Sequence, residues 1–248
     1  MIPVSERILF EDNHLLIVNK MPSEIVQGDK TGDICLLDEA KEYIKQKYNK
    51  PGNVFLGLVH RIDRPVSGVV VFAKTSKTLG RMTKLVRERD FRKIYLAIVK
   101  NRPPRESDTL EDYLVRNEKM NKTFVVGADD KNAKLSKLSY RVVASSDNYH
   151  LLEIELFTGR HHQIRAQLSN MGCPIRGDLK YGYPRSNRDA SISLHAYKVA
   201  FVHPVTKADI EICAPLPNDS LWRYFGENAG YSNPQNQNNL AAQPSVKQ

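Results

Sequence analysis

Cysteine is scarce in this chain. Its 248 residues hold three, Cys35, Cys173 and Cys213, far apart and odd in number. None belongs to a Cys-x-x-Cys pair, so zinc spacings and a disulfide framework are not expected. Reduced core cysteines in a cytoplasmic protein fit better. No run of about 18 apolar residues occurs, so no transmembrane helix is expected. The start, Met1-Ile2-Pro3-Val4-Ser5-Glu6-Arg7, lacks the basic and then apolar pattern of a secretory signal. Also missing are the Gly-x-x-x-x-Gly-Lys-Ser/Thr loop of NTPases, the Gly-x-Ser-x-Gly elbow of hydrolases, the Gly-rich loop and Asp-Phe-Gly of kinases, and the His-Glu-x-x-His of zinc proteases. Internal repeats are absent.

What is present is ordinary for a globular protein, except in charge. Hydrophobic residues make up 41% and charged residues 26%, as in soluble domains with a substantial core. Lys and Arg number 37 against 28 Asp and Glu, a net charge of +9. That excess favours a polyanionic partner, nucleic acid first. Residues 81–105 concentrate it: Arg81, Lys84, Arg87, Arg89, Arg92, Lys93, Lys100, Arg102 and Arg105 against Glu88 and Asp90. This window reads either as a solvated helix face or as a phosphate-contacting surface, and its density favours the second.

Periodicity predicts a strand–turn–strand over Ile8 to Asn19 and a helix over Asp33 to Tyr48 with Asp33 as cap. A short strand, Val54 to Val59, leads to a turn, and Val69 to Ala73 leaves it as a buried strand. A helix capped by Thr75 or Ser76 buries Leu79, Met82, Leu85 and Val86. Strands follow over Phe91 to Val99, Lys137 to Ala144, His150 to Leu156, Leu194 to Val202 and Asp209 to Cys213, and a capped helix spans Thr158 to Met171. Strands outnumber helices with little β-α-β alternation, which predicts an α+β fold on a largely antiparallel sheet. The Asn-, Gln- and Pro-rich residues 226–248 read as a disordered tail behind a single domain over 1–225.

Two clusters carry candidate chemistry. In His60-Arg61-Ile62-Asp63-Arg64-Pro65-Val66-Ser67-Gly68, one carboxylate sits between two guanidiniums on a turn feeding a buried strand. Cations hold a carboxylate ionised, and an ionised carboxylate held at a turn is a candidate nucleophile; the plainer alternative is a surface Arg–Asp pair. The second cluster, Thr158-Gly159-Arg160-His161-His162-Gln163-Ile164-Arg165, opens a helix, whose free N–H groups suit an anion. Ile164 and Leu168 face the core while Arg165 projects beside them. For His161 and His162, cap or core hydrogen bonding stands beside a role in the chemistry; adjacent histidines diverge on a helix, which disfavours a metal. A glycosidase would need a second carboxylate, for which Asp178 is the candidate, yet nothing in the sequence brings it near Asp63.

Three segments together resemble one family. The His60–Gly68 stretch is similar to the His-Arg-Leu-Asp signature of RluA-type pseudouridine synthases, with Ile62 in place of Leu. Arg92-Lys93-Ile94-Tyr95-Leu96-Ala97 resembles the family's Lys-x-Tyr-x-Ala segment. Gly159 to Arg165 resembles its Gly-Arg-x-His-Gln-Ile-Arg segment, continued by Gly172 to Asp178 and Tyr181-Gly182. Order and spacing agree over roughly residues 8 to 216. The chain departs at Asn19-Lys20-Met21-Pro22-Ser23-Glu24, where the family's Asn-Lys-Pro-x-Gly turn has its Pro displaced and its Gly missing.

The resemblance implies a pseudouridine synthase fold, a long mixed and mostly antiparallel sheet with its cleft across the middle. It also implies a reaction: a uridine in ribosomal or transfer RNA is flipped out, its C1′–N1 bond broken and a C1′–C5 bond made, without cofactor or metal. Carried over by position, Asp63 is the essential aspartate, Tyr95 the tyrosine near the base and Arg165 the arginine paired with the aspartate. Arg61 enters the helix stack in place of the uridine, and Ile164 packs on the base. His60, Arg160 and His162 are further substrate-binding candidates. No room precedes residue 8 for the S4-like domain of many relatives, so target choice is expected from the catalytic domain or a partner. A monomer is expected. The alternative is a non-catalytic RNA-binding protein or RNA chaperone that keeps the fold.

Overall fold

The computed structural model describes residues 2–28 and 32–231. Eleven strands form one sheet: β1 Ile8–Glu11, β2 Leu15–Lys20, β3 Gly57–Leu58, β4 Ser67–Ala73, β5 Arg92–Val99, β6 Ser107–Asn117, β7 Lys122–Val126, β8 Lys134–Ser145, β9 His150–Leu156, β10 Leu194–Val202 and β11 Asp209–Cys213. The helices are α1 Leu36–Lys47, α2 Ser76–Glu88, α3 Gln163–Asn170 and α4 Ser220–Ala229. The strands run in the order β1-β2-β4-β10-β5-β9-β8-β6-β7, with β3 on β4 and β11 on β10. Every pairing between the described strands is antiparallel except β4 with β10. This is the mixed α+β sheet that the strand-rich pattern predicts.

Burial follows the residue pattern. All seven residues of β4 are buried, as a continuous apolar run requires of a strand covered on both faces. On one face, Val70, Phe72, Tyr95, Ala97 and Val99 pack with α1 and with Ile164 and Leu168 of α3. On the other, Ile17, Val69 and Val71 meet Met82 of α2, and Leu96, Ile98 and Leu151 meet Trp222 and Phe225 of α4. The outer strand β6 alternates exposed and half-buried residues, the mark of a sheet end with one wet face.

Several boundaries differ from the sequence reading. The first helix begins at Leu36 behind Cys35, which makes no side-chain cap; Asp33 instead pairs with Arg64 at 3.0 Å. Thr75 caps α2 by accepting the Thr78 N–H at 3.1 Å. The helix expected from Thr158 starts only at Gln163, because residues 158–162 form a loop held by the Gln163 side chain: its Oε1 accepts the Thr158 hydroxyl and the Arg160 N–H, and its Nε2 donates to Lys137 O and Gln167. The boundary at 226 moves as well. Asp219 caps α4 through the Leu221 and Trp222 N–H groups, the helix runs to Ala229, and the Tyr231 hydroxyl donates to Glu153 at 2.6 Å. The remainder of the expected tail, 232–248, lies outside the described residues.

Candidate functional site

The Asp63 turn sits where β3 ends and β4 enters the sheet. Its Val66 N–H donates to the Asp63 carbonyl at 3.0 Å. Gly68 follows with φ +117°, and a Cβ there would lie 2.2 Å from the Ala196 carbonyl oxygen. Only glycine admits both that conformation and that approach of β4 to β10. Lys20 grips the same turn from the end of β2. Its buried ammonium donates to the carbonyls of Val66 at 2.6 Å, Met21 at 2.9 Å and Arg64 at 3.0 Å. Burial pushes the Lys20 pKa down to about 7, against the pull of Glu24 and Asp63. The altered turn after β2 closes with Ser23 at φ 71°, tied to Arg64 by the Ser23 N–H to Arg64 O bond at 2.9 Å and the Arg64 Nε to Ser23 O bond at 3.0 Å.

Arg64, with those partners and Asp33, turns away from the Asp63 carboxylate. Arg165 reaches it instead, Nη1 donating to Oδ2 at 3.1 Å. The same guanidinium forks onto Asp178, with Nε to Oδ2 at 2.6 Å and Nη2 to Oδ1 at 2.8 Å. Such two-bond pairing fixes the plane of an arginine as well as its charge. Asp178 is almost fully buried; its partner is Arg165, so it is no second free acid beside Asp63. The ring of Tyr181 lies 4.9 Å below the guanidinium, a cation–π contact that holds the remaining face.

A cavity of about 290 Å³ opens on Asp63, lined also by Arg61, Tyr95, Arg160, Ile164 and Arg165. A second cavity of about 500 Å³ adjoins it across Arg61, Asp63, His162 and Arg165, and adds Arg64, Arg116, His161 and Lys180. Tyr95 is buried, and burial together with the Asp63 charge raises its pKa, so its hydroxyl keeps its proton at neutral pH. Ile164 is buried at the cavity wall while Arg61 is exposed where both cavities meet. Arg160 is exposed and leans on the Leu135 carbonyl.

The histidines differ from one another. Neither ring nitrogen of His60 has a hydrogen-bond partner or solvent contact, and the ring packs 5.4 Å from Phe91. Burial and then Lys93 push its pKa down to about 3. It is therefore a neutral ring, and it lines the smaller cavity beside Asp63. Burial also lowers His161 to about 4 and His162 to about 2. The positive charge facing the cavities thus belongs to guanidinium and ammonium groups. No cluster able to hold a metal ion occurs among the described residues.

The basic window 81–105 is thinner than its composition suggests. Arg92 pairs with Glu155, Arg102 with Glu106 and Arg105 with Asp108, acids outside the window or at its edge. Arg89, Lys93 and Lys100 have no acidic partner among the described residues, and Lys93 lines the smaller cavity.

Residues 14–170 match the family described as RNA pseudouridylate synthase. The chain belongs to that family, in its RluA-type branch. It is 35% identical over 222 residues to the "Ribosomal large subunit pseudouridine synthase C" of Buchnera aphidicola, covering 86% of this chain and 68% of the relative. The protein of the same name from Vibrio cholerae is 33% identical over 215 residues, covering 84% and 65%. The chain thus spans about two thirds of the length of these relatives. The solved structure of "Human RNA Pseudouridylate Synthase Domain Containing 4" shares the fold, with a TM-score of 0.75 at 23% identity over 92% of this chain and 94% of that one.

Lys20, Gln163 and Tyr181 escaped the sequence reading as site residues, and Asp178 entered it only as the second acid a glycosidase would need. For Asp178 and Tyr181 a signal existed, because both lie in the third matching segment. For Lys20 it was the persistence of Asn-Lys in a turn otherwise altered.

Proposed function

We propose that this protein is an RNA pseudouridine synthase that isomerises uridine in structured RNA. Its family supports the reaction class, and the names of its relatives favour large-subunit ribosomal RNA over transfer RNA as the substrate. The observation that carries the reading is the cavity in which Asp63, braced by Arg165 at 3.1 Å, faces the buried Tyr95. These three residues lie on separate elements, and binding RNA would not require them together.

The chemistry needs little more. A base inside a stack must first be turned out, at a cost of a few kcal/mol. Arg61, exposed beside the cavity, is suited to fill the gap, and the cations around the larger cavity to hold the phosphates. The smaller cavity has room for one flipped nucleoside. There the ionised Asp63 works at the sugar–base junction to break C1′–N1. Ile164 and Tyr95 then keep the freed base in place and away from water while it turns to present C5. No water is activated, so one carboxylate suffices.

The test is tritium release from RNA carrying 5-tritiated uridine. Release should survive EDTA and fall by about 10³-fold or more in Asp63→Ala, as for loss of a reacting group. Asp63→Asn should still bind RNA. RNA binding without release from any cellular RNA pool would overturn the enzyme and leave an RNA-binding protein that keeps the fold.

A further inference from the structure

His162 stands just before α3 with φ 50° and ψ 25°, a left-handed conformation that few non-glycine residues adopt. This backbone turns its ring inward. The ring stacks on His161 at 3.7 Å and meets the edge of Tyr181 at 5.6 Å. Its two nitrogens face different groups. Nδ1 lies 3.0 Å from the Tyr181 hydroxyl, and Nε2 lies 3.6 Å from Asp63 Oδ2.

The hydrogen bonds around Tyr181 decide which nitrogen carries the proton. The Tyr181 hydroxyl accepts the backbone N–H of Thr123 at 2.8 Å, and a peptide N–H can only donate. The hydroxyl's own proton is left for His162 Nδ1 at 3.0 Å, because the neighbouring Thr123 hydroxyl is engaged with His161 Nδ1 at 2.9 Å. An imidazole that accepts at Nδ1 and is neutral carries its hydrogen on Nε2. Burial keeps it neutral, and so do the cations facing it, Arg165, Lys180 and Arg116. The Nε2–H bond is thereby aimed at Asp63.

We propose that His162 is a positioning residue for Asp63, a neutral Nε2–H donor to Oδ2 whose tautomer is set by Tyr181 and the Thr123 backbone; its link to turnover rests on the synthase reading. Arg165 and His162 then address the same carboxylate oxygen, which leaves Oδ1 as the oxygen turned to the substrate. At 3.6 Å the contact is longer than a formed hydrogen bond, and closure on bound RNA shortens it, as catalytic contacts often tighten in the complex. Thr123 also ties its hydroxyl to His161 Nδ1 at 2.9 Å, so β7 braces both rings of the stack.

Two measurements on the full chain test this. In protein labelled with ¹⁵N-histidine, His162 should show the neutral Nε2–H pattern from pH 5 to 8. Its Nε2 signal should move in Asp63→Ala, and the Nδ1–H tautomer should gain population in Tyr181→Phe. An imidazolium at pH 7, or an unprotonated Nε2, would overturn the proposal whatever the enzyme does.

The second measurement is the single-turnover rate against pH, with RNA affinity measured separately. His162→Phe keeps the stacked ring and loses the donor. The rate should fall about 10²-fold with RNA affinity within about twofold. Because the carboxylate loses a donor to its ionised form, the acid limb should move to higher pH. The other groups facing Asp63 stay in place: Arg165 from α3, Tyr95 from β5, Lys20 from β2, His161 from the loop before α3, and Arg61 from its own turn. His162→Gln, which restores an N–H, should recover most of the rate. A fall that is uniform across pH, with no recovery by Gln, would assign His162 a purely structural part. Absence of release by the unaltered protein would sink the synthase reading alone, while the tautomer measurement would still decide the hydrogen bond.

Discussion

Glu11 and Asp63 are both carboxylates among cations, and they are built to opposite ends. Glu11, at the end of β1, receives four donors: the Tyr43 hydroxyl and Lys47 ammonium on Oε2, and the Tyr48 hydroxyl and Lys74 ammonium on Oε1, each at 2.8–2.9 Å. Its side chain is 7% exposed. Nothing is left to react, and the group clamps β1, α1 and the end of β4 together. Asp63 has one oxygen held and the other without a hydrogen bond among the described residues, its side chain is 28% exposed, and it faces a cavity. Charge surroundings alone do not distinguish a clamp from a reactive group. The count of satisfied lone pairs does.

The largest stability effect belongs to neither of the two but to Asp178, which holds the arginine that braces Asp63. Asp178→Ala should cost about 3 kcal/mol by leaving the buried Arg165 with Asp63 as its only acid, measured by urea unfolding. Turnover should fall as well, since the guanidinium loses the fork that orients it. A cost below about 1 kcal/mol would mean that Asp63 alone can hold Arg165.

Glu11→Gln should cost about 2 kcal/mol and leave tritium release in the folded fraction unchanged. Burial alone would raise the Glu11 pKa, but the ammoniums of Lys47 and Lys74 and the two phenols overcome it and bring it down to about 2 from the ordinary 4.5. A folded-state pKa below the unfolded one stabilises above the unfolded value and is lost as pH falls. The native protein should therefore lose this contribution between about pH 4.5 and about pH 2. The Gln variant should show a flatter decline over that window. An unchanged slope would remove Glu11 from the role of clamp.

The smallest stability effect should come from Asp63 itself. Asp63→Asn should change stability by less than about 1 kcal/mol, because Arg165 keeps its two bonds to Asp178. If this variant unfolds as readily as Glu11→Gln, the contrast between the two carboxylates fails.

How far residues could be read in advance depended on the distance over which they act. The β4 run, the Thr75 cap and the Asp63 turn were legible because each is made by neighbours in the chain. Roles for Tyr95, Arg165 and Ile164 were legible only through motif resemblance; the three line one cavity with Asp63. The start of α3 was misread because the Gln163 side chain, not helix propensity, organises residues 158–162. For His60 nothing in the sequence signalled that its ring packs on Phe91 with both nitrogens out of solvent. The Glu11 clamp left no signal, since its donors come from α1, the residue after α1 and the residue after β4.

By itself, the sequence determined the α+β class, the buried central strand and Asp63 as the candidate carboxylate, all of which follow from local pattern or a recognisable segment. Tertiary structure decided the partners. It gave Arg165 rather than Arg64 to Asp63, gave Asp178 to Arg165, and turned His162 inward. The reason is geometric: a hydrogen bond or ion pair forms within about 3 Å, and which side chains meet at that range is set by how strands distant in sequence, above all β4 and β10, are brought side by side.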